Sequence, residues 1–196
     1  MRLPHLRPAE LTGEQRQLYD TINQGPRRAA HPGLLSPVGL VDDEGRLQGP
    51  FNAMLFHPAI GMALQELGRA LRFSGELPPR SREIAILMVA ASERSEFEWA
   101  AHAAIGAHLG LSAIDIDALA RADGVDFEDP IEQVVARATR ALVTDGDLDD
   151  EAYRAAEATL GAAGLVELST LVGLYRALAL QMRLFRVPGP SGPWEQ

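Results

Sequence analysis

Alanine and leucine dominate this sequence, whereas runs of β-branched or aromatic residues are scarce. Because both residues favour helix, the pattern predicts an all-α fold, a compact helical bundle of seven to eight helices. The 196 residues are 46% hydrophobic, which is enough for a sizeable core without disulfides or metals. We therefore expect a single domain spanning residues 1–196.

Glycine, proline and polar capping residues predict where the helices begin and end. Thr12-Gly13-Glu14-Gln15 is typical of a capping box and predicts a helix from Thr12 to about Gly25-Pro26. The other predicted helices are about 58–75, 79–91, 95–109, a short one from 112, 130–145, one that Asp147 caps and that reaches Gly161, and one from Gly164 or Leu165 to Phe185. Residues 25–51 predict an irregular loop, and the prolines and glycines of residues 187–196 predict a non-helical tail.

The sequence contains no cysteine, which excludes disulfides, thiolate nucleophiles and cysteine-ligated metal sites. Its 27 acidic and 18 basic residues give a net charge of -9, which disfavours nucleic acid and anionic membranes as partners. The N-terminus lacks the unbroken apolar stretch of a secretory signal, and no run approaches the roughly 20 apolar residues of a membrane helix. We expect a cytoplasmic protein.

Polar residues suited to acid–base chemistry concentrate between positions 80 and 102. Ser95, Glu98 and His102 are spaced i, i+3 and i+7, so they share one face of a helix. Glu98 and His102 are predicted to be a contact pair, in which the carboxylate orients the imidazole and raises its pKa. If the preceding helix packs antiparallel, Glu83 faces the same place and completes a Glu–His–Glu relay.

Each of these residues also has a purely structural interpretation. Ser95-x-x-Glu98 fits a capping box, His102 fits a structural histidine, and Glu83 fits a surface pair with Arg80 or Arg82.

A metal site is a further alternative for the same residues. The spacing of Glu98 and His102 permits a metal site with Glu83 as a third ligand, but the sequence has no HExxH motif and His108 falls on another face. We predict neither a metal nor a cofactor.

Two stretches of the sequence resemble the signature of the carboxymuconolactone decarboxylase family. They are Arg82-Glu83-Ile84-Ala85-Ile86-Leu87 and Glu96-Phe97-Glu98-Trp99-Ala100-Ala101-His102, and the late segment Val166-Glu167-Leu168 with Leu171-Val172-Gly173-Leu174-Tyr175 is similar as well. The resemblance is closest over about residues 50–125 and extends more loosely to about 185. It implies an all-helical, alkylhydroperoxidase-like bundle that forms a homo-oligomer. The expected assembly is a trimer or a hexamer, and a dimer is the remaining alternative.

A sister branch of this family, the alkylhydroperoxidase-like proteins, carries Cys-x-x-Cys followed three residues later by His, with a relay Glu upstream. Matched by motif, Ser95 and Glu98 stand at the two cysteine positions, while Glu83 and His102 match the Glu and the His. The resemblance therefore implies that proton transfer remains and that peroxidase chemistry does not.

The resemblance further implies a cofactor-free lyase of aromatic catabolism that decarboxylates a small carboxylated lactone or a related acid. His102 is the expected proton donor, with Glu98 and Glu83 as its tuning partners. A substrate carboxylate requires an arginine, for which the candidates are Arg82, Arg72 and Arg69. The residues expected to contact substrate are Ser95, Arg82, Trp99 and Tyr175, although Trp99 and Tyr175 also suit a packing role. The alternative is a non-catalytic helical oligomer that binds a small ligand.

Overall fold

The computed structural model describes residues 1–25, 39–121, 126–190 and 192–193. These ranges contain eight α-helices and one short 3-10 turn, Pro8–Glu10, and no strand longer than an isolated bridge between Val41 and Leu47. The helices are α1 (Gly13–Gln24), α2 (Pro50–Met54), α3 (Pro58–Phe73), α4 (Pro79–Glu93), α5 (Glu96–His108), α6 (Ala113–Arg121), α7 (Pro130–Thr144) and α8 (Asp150–Phe185). The predicted all-α class is confirmed.

Helix α4 lies at the centre of the bundle. Every residue from Ser81 to Ala90 is buried, and helices α5, α6, α7 and α8 all pack against this helix. A helix that is apolar on all sides suits such a position, because it presents no face to water. The buried polar residues Arg82 and Glu83 therefore stand out within the core.

Helix α8 is long, but it is interrupted at Gly161, where φ is +68° and ψ is 172°. The sequence predicted two helices here, with the second starting at Gly164 or Leu165. Since glycine tolerates this backbone conformation, the interruption falls on Gly161 itself, and helix resumes earlier than predicted.

The starts of the helices test the predicted caps directly. Thr12 and Gln15 form the predicted capping box of α1. Asp147 is not the cap of α8, contrary to the prediction. Asp149 accepts hydrogen bonds from the backbone of Glu151 and Ala152, because it is the aspartate directly before the first helical turn.

Helix α8 also passes a length and hydropathy test for a membrane span, with a mean hydropathy of 1.4 over 18 residues. The sequence analysis did not anticipate this. One such helix is a weak indication, since the core helix of a soluble protein passes the same test. Its buried residues Leu168, Leu171 and Leu174 pack in the main core of the bundle.

Residues 26–38 of the predicted loop 25–51 lie outside the described ranges. Its last residues form the start of α2, which the sequence analysis did not anticipate. Pro50 occupies the first turn of this helix, a position where proline is well tolerated. Asn52 then ties α2 to the N-terminal segment, donating to the Pro4 carbonyl and accepting from the Leu6 amide, each at 3.1 Å.

Candidate active site

A buried hydrogen bond between a histidine and a carboxylate joins helices α4 and α5. The Nδ1 atom of His102 lies 2.6 Å from Oε2 of Glu83, whose side chain is fully buried, while that of His102 is 10% exposed. Burial opposes the charge on Glu83, but the neighbouring His102, Arg72 and Arg82 outweigh it and lower the pKa of this carboxyl group. Glu83 is therefore an ionised hydrogen-bond acceptor that orients the imidazole.

Two further helices contribute polar groups to this pair. Arg72, in the last turn of α3, places Nη1 3.6 Å from Oε1 of Glu83 and donates from Nη2 to the hydroxyl of Tyr175 at 3.4 Å. Burial disfavours the charge of Arg72, but Tyr175 and Glu83 more than compensate and raise its pKa. The Tyr175 ring, on α8, meets the His102 ring edge to face at 5.1 Å between centroids. Four helices thus converge on one histidine.

Arg72, His102 and Tyr175 border a cavity of about 50 Å³. This volume accommodates about three or four water molecules. Most of the wall is apolar, and the lining includes Phe51, Met54, Leu64, Phe97, Ile105, Leu174 and Leu178. The polar lining residues are Gln65, Arg72, Glu98, His102 and Tyr175. A ligand as large as a carboxylated lactone therefore requires the cavity to widen.

Phe97 borders both this cavity and an open groove on the outside of the bundle. It packs so closely on Gly49 that a Cβ atom there would lie 2.3 Å from the ring. The sequence analysis missed Phe97 and Phe51 as lining residues, although Phe97 lies within the second quoted motif.

Glu98 differs sharply from Glu83. It is 3% exposed and lines the cavity, yet neither carboxyl oxygen has a hydrogen-bond partner among the described residues. Burial raises its pKa to about 8, with Ser95 opposing the rise and the charge of Glu93 adding to it. The predicted contact pair of Glu98 and His102 is not joined by a hydrogen bond, and the carboxylate that holds the imidazole is Glu83 of α4.

The other residues predicted to contact substrate lie outside the cavity wall. Trp99 packs in a second apolar cluster with Ile84 and Leu87, which is the core role considered for it. Arg82 is buried, but its Nη1 donates to the carbonyl of Leu71, and Ser95 lies in the outer groove.

The arginine at the cavity wall is Arg72. Arg69 instead forms an exposed pair with Glu66 at 2.9 Å.

Two of the purely structural interpretations, the capping box of Ser95 with Glu98 and the surface pair of Glu83, are not found in the structure. Ser95 starts α5 without a side-chain capping hydrogen bond, so the proposed capping box with Glu98 does not form. Glu83 is not in a surface pair, since its partners are buried. In the part of the chain that the structure describes, no three His, Asp or Glu side chains group in a way that could hold a metal ion.

The fold and site define an all-α bundle built around a buried histidine–carboxylate pair. Residues 58–141 match the family model of the carboxymuconolactone decarboxylase family, in agreement with the resemblance seen in the sequence. The segment includes Arg72, Glu83, Glu98 and His102, whereas Tyr175 lies beyond it.

The fold is also similar to that of a crystal structure of a protein of unknown function from Agrobacterium tumefaciens, described as a candidate for the antioxidant defence protein AhpD. The two superpose with a TM-score of 0.61 at 16% sequence identity, over 74% of this chain and 100% of that one. At this identity the likeness concerns the fold alone. No curated protein matches the chain significantly.

Proposed function

We propose that this protein is a cofactor-free enzyme that transfers a proton to or from carbon in a small carboxylated substrate, with decarboxylation of a carboxylactone or a related acid as the reaction. The observation that carries the proposal is the buried Glu83–His102 hydrogen bond of 2.6 Å at the wall of an apolar cavity. A histidine that is held by a carboxylate has a defined tautomer and a stabilised charged form, as an acid–base group requires.

His102 is the proton donor in this mechanism. With Nδ1 hydrogen-bonded to Glu83, the proton that it exchanges with substrate is the one on Nε2. Glu83 stabilises the imidazolium and acts as a positioning residue. Arg72 is the cationic group of the cavity wall, and its planar guanidinium suits a carboxylate that the substrate keeps.

The departing carboxylate lies against the apolar wall, where loss of its hydration favours the release of neutral CO2. The bond between carbon and the carboxylate breaks, and its electron pair moves into the adjacent carbonyl group to give an enolate. The enolate carbon then takes the proton from Nε2 of His102, and the carbonyl group is restored. No oxidant or metal is needed for this balance.

Peroxidase chemistry of the thiol type lacks its nucleophile in this chain, because the sequence contains no cysteine. This supports proton transfer over thiol redox chemistry as the function of the site.

The test is a screen of carboxylactones and related acids for CO2 release and for thermal stabilisation. With an active compound, we expect His102→Ala to lower kcat by about 10²–10⁴-fold, the usual contribution of a positioned acid or base. The matched control is His108→Ala, since His108 lies exposed at the end of the same helix. Equal rates in wild type and His102→Ala would exclude His102 as the donor.

We also propose that the chain forms a homo-oligomer through α8. This is supported by large apolar side chains on that helix that are exposed in the single chain, namely Val166 at 65%, Leu180 at 56% and Leu184 at 52%. Light scattering at micromolar concentration should show more than one subunit, and Leu180→Glu should reduce the mass. A monomeric wild type contradicts this proposal.

A further inference from the structure

We propose that Glu98 acts as a neutral carboxylic acid that donates a hydrogen bond to a carbonyl oxygen of the ligand, so that the site selects small molecules carrying both a carboxylate and a carbonyl group. The inference rests on the proposed function for the reaction, but it concerns which ligands bind. It also replaces the role that the sequence suggested for Glu98, which was to tune His102.

The first support is that no hydrogen bond of normal geometry from the described residues reaches the Glu98 carboxyl oxygens, although the Ser95 hydroxyl is near enough to lower the pKa of this group. Both oxygens are sealed from solvent, and neither has a hydrogen-bond partner within the described residues. Buried polar groups are nearly always hydrogen-bonded, because an unpaired one costs about 1–3 kcal/mol. A ligand that widens the cavity beside Glu98 can therefore supply the missing hydrogen-bond partner.

The second support is where Glu98 lies. It precedes His102 by one helical turn on α5, and both residues line the same cavity. Arg72 lines it from α3. A ligand whose carboxylate meets Arg72 can therefore present a neighbouring oxygen to Glu98 and a carbon atom to His102.

The third support is the contrast between the two buried glutamates. Glu83 has His102 and Arg72 as partners and is ionised, whereas burial raises the pKa of Glu98 to about 8. At neutral pH, Glu98 therefore carries a proton that it can donate. Two carboxyl groups with opposite protonation states in one site are typical of a division between acid and base roles.

In the proposed reaction, this hydrogen bond stabilises the oxygen on which negative charge develops as CO2 leaves. Glu98 keeps its proton throughout, and His102 delivers the proton to carbon. Donors aimed at developing negative charge are a major source of rate enhancement in enzymes.

Several charged or titratable groups surround Glu98 and bear on its pH dependence. The titratable group on α5 is His102, and Glu93 ends the preceding helix, while the uncharged Ser95 hydroxyl just before α5 lowers the pKa of Glu98. The other titratable groups are Arg72 and Tyr175, which line the cavity, and Glu83, which pairs with Arg72.

The experiment compares the binding of two probes by calorimetry, 4-oxopentanoate and pentanoate, which differ in the ketone oxygen. For wild type we expect 4-oxopentanoate to bind about tenfold more tightly at pH 6, as one hydrogen bond of about 1.4 kcal/mol provides. The preference should disappear at pH 10, where Glu98 is ionised and cannot donate.

Two variants separate the hydrogen bond from a general effect of pH. Glu98→Gln keeps an N–H donor and should retain the preference at both pH values. Glu98→Leu removes the donor and should show no preference at either.

The inference is overturned if wild type fails to prefer 4-oxopentanoate at pH 6, if the preference persists at pH 10, or if Glu98→Leu behaves as wild type. Because binding requires no turnover, these results are distinct from a failure of the carboxylactone screen. Turnover that depends on His102, without a ketone preference, would remove this inference and leave the proposed function intact.

Discussion

The unpaired carboxyl group of Glu98 predicts a specific dependence of stability on pH. In the unfolded chain this group ionises with its ordinary pKa of 4.5, whereas burial raises the folded value to about 8. The folded state therefore holds more protons than the unfolded state between these pH values, so stability falls as pH rises through this window. A tenfold difference in proton affinity is worth about 1.4 kcal/mol, so the full effect is about 5 kcal/mol.

The perturbation is Glu98→Gln, which has nearly the same shape as the protonated acid and cannot ionise. Free energies of unfolding in urea, measured from pH 5 to pH 9, should show the variant gaining about 4 kcal/mol on wild type across this range. The difference should level off above pH 8, where Glu98 is already ionised in the folded state.

The control for this measurement is Glu66→Gln, an exposed glutamate that pairs with Arg69 on the surface. Its difference from wild type should change by less than about 1 kcal/mol over the same range. If the Glu98→Gln difference is equally flat, the carboxyl group is solvated or paired in solution and the reasoning about its burial fails.

Three further substitutions test other parts of the structure. His102 and neighbouring arginines keep Glu83 ionised despite its burial, so the stabilisation it provides is present above pH 4.5 and is lost as pH falls through its lowered folded pKa. Glu83→Gln should therefore weaken the acid unfolding transition followed by circular dichroism. An unchanged transition would argue against the buried pair. Asp149→Ala should cost about 1 kcal/mol, or about 2–4 °C in Tm, whereas Asp147→Ala should change Tm little, and the reverse order would restore the cap predicted from sequence. Gly49→Ala should destabilise by at least about 2 kcal/mol in urea, because φ is +58° and the new Cβ meets an aromatic ring of the cavity wall; wild-type stability would show that this ring is not wedged there.

Local sequence signals predicted most of the helices because they act over a few residues. The capping box at Thr12 and the prolines at positions 58, 79 and 130 mark helix starts without reference to the rest of the fold. Helix α2 was missed because five residues are too few to show a helical period. It is held in place by contacts with the distant N-terminal segment and with helices α3 and α8.

The candidate site was predictable only in part. Helical spacing and the resemblance placed Glu83 and His102 together, and the structure joins them by a hydrogen bond. The choice among the arginines depends on which helix faces meet. Arg82 lies on the same helix as Glu83, but successive helical residues point about 100° apart, whereas Arg72 reaches Glu83 from α3.

The role of Glu98 could not be predicted for a related reason. Its spacing from His102 suggested a contact, but its character is set by the partners that it lacks in three dimensions. No local pattern carries that information.

The most direct test of the site is to observe the imidazole N–H proton of His102 by NMR in protein labelled with ¹⁵N-histidine. We predict a downfield-shifted Nδ1–H resonance, as expected for a short hydrogen bond to an ionised carboxylate. It should disappear in Glu83→Gln and persist in Glu98→Gln. Loss of the resonance in Glu98→Gln, with retention in Glu83→Gln, would show that the carboxylate on the same helix holds the histidine and would contradict this account.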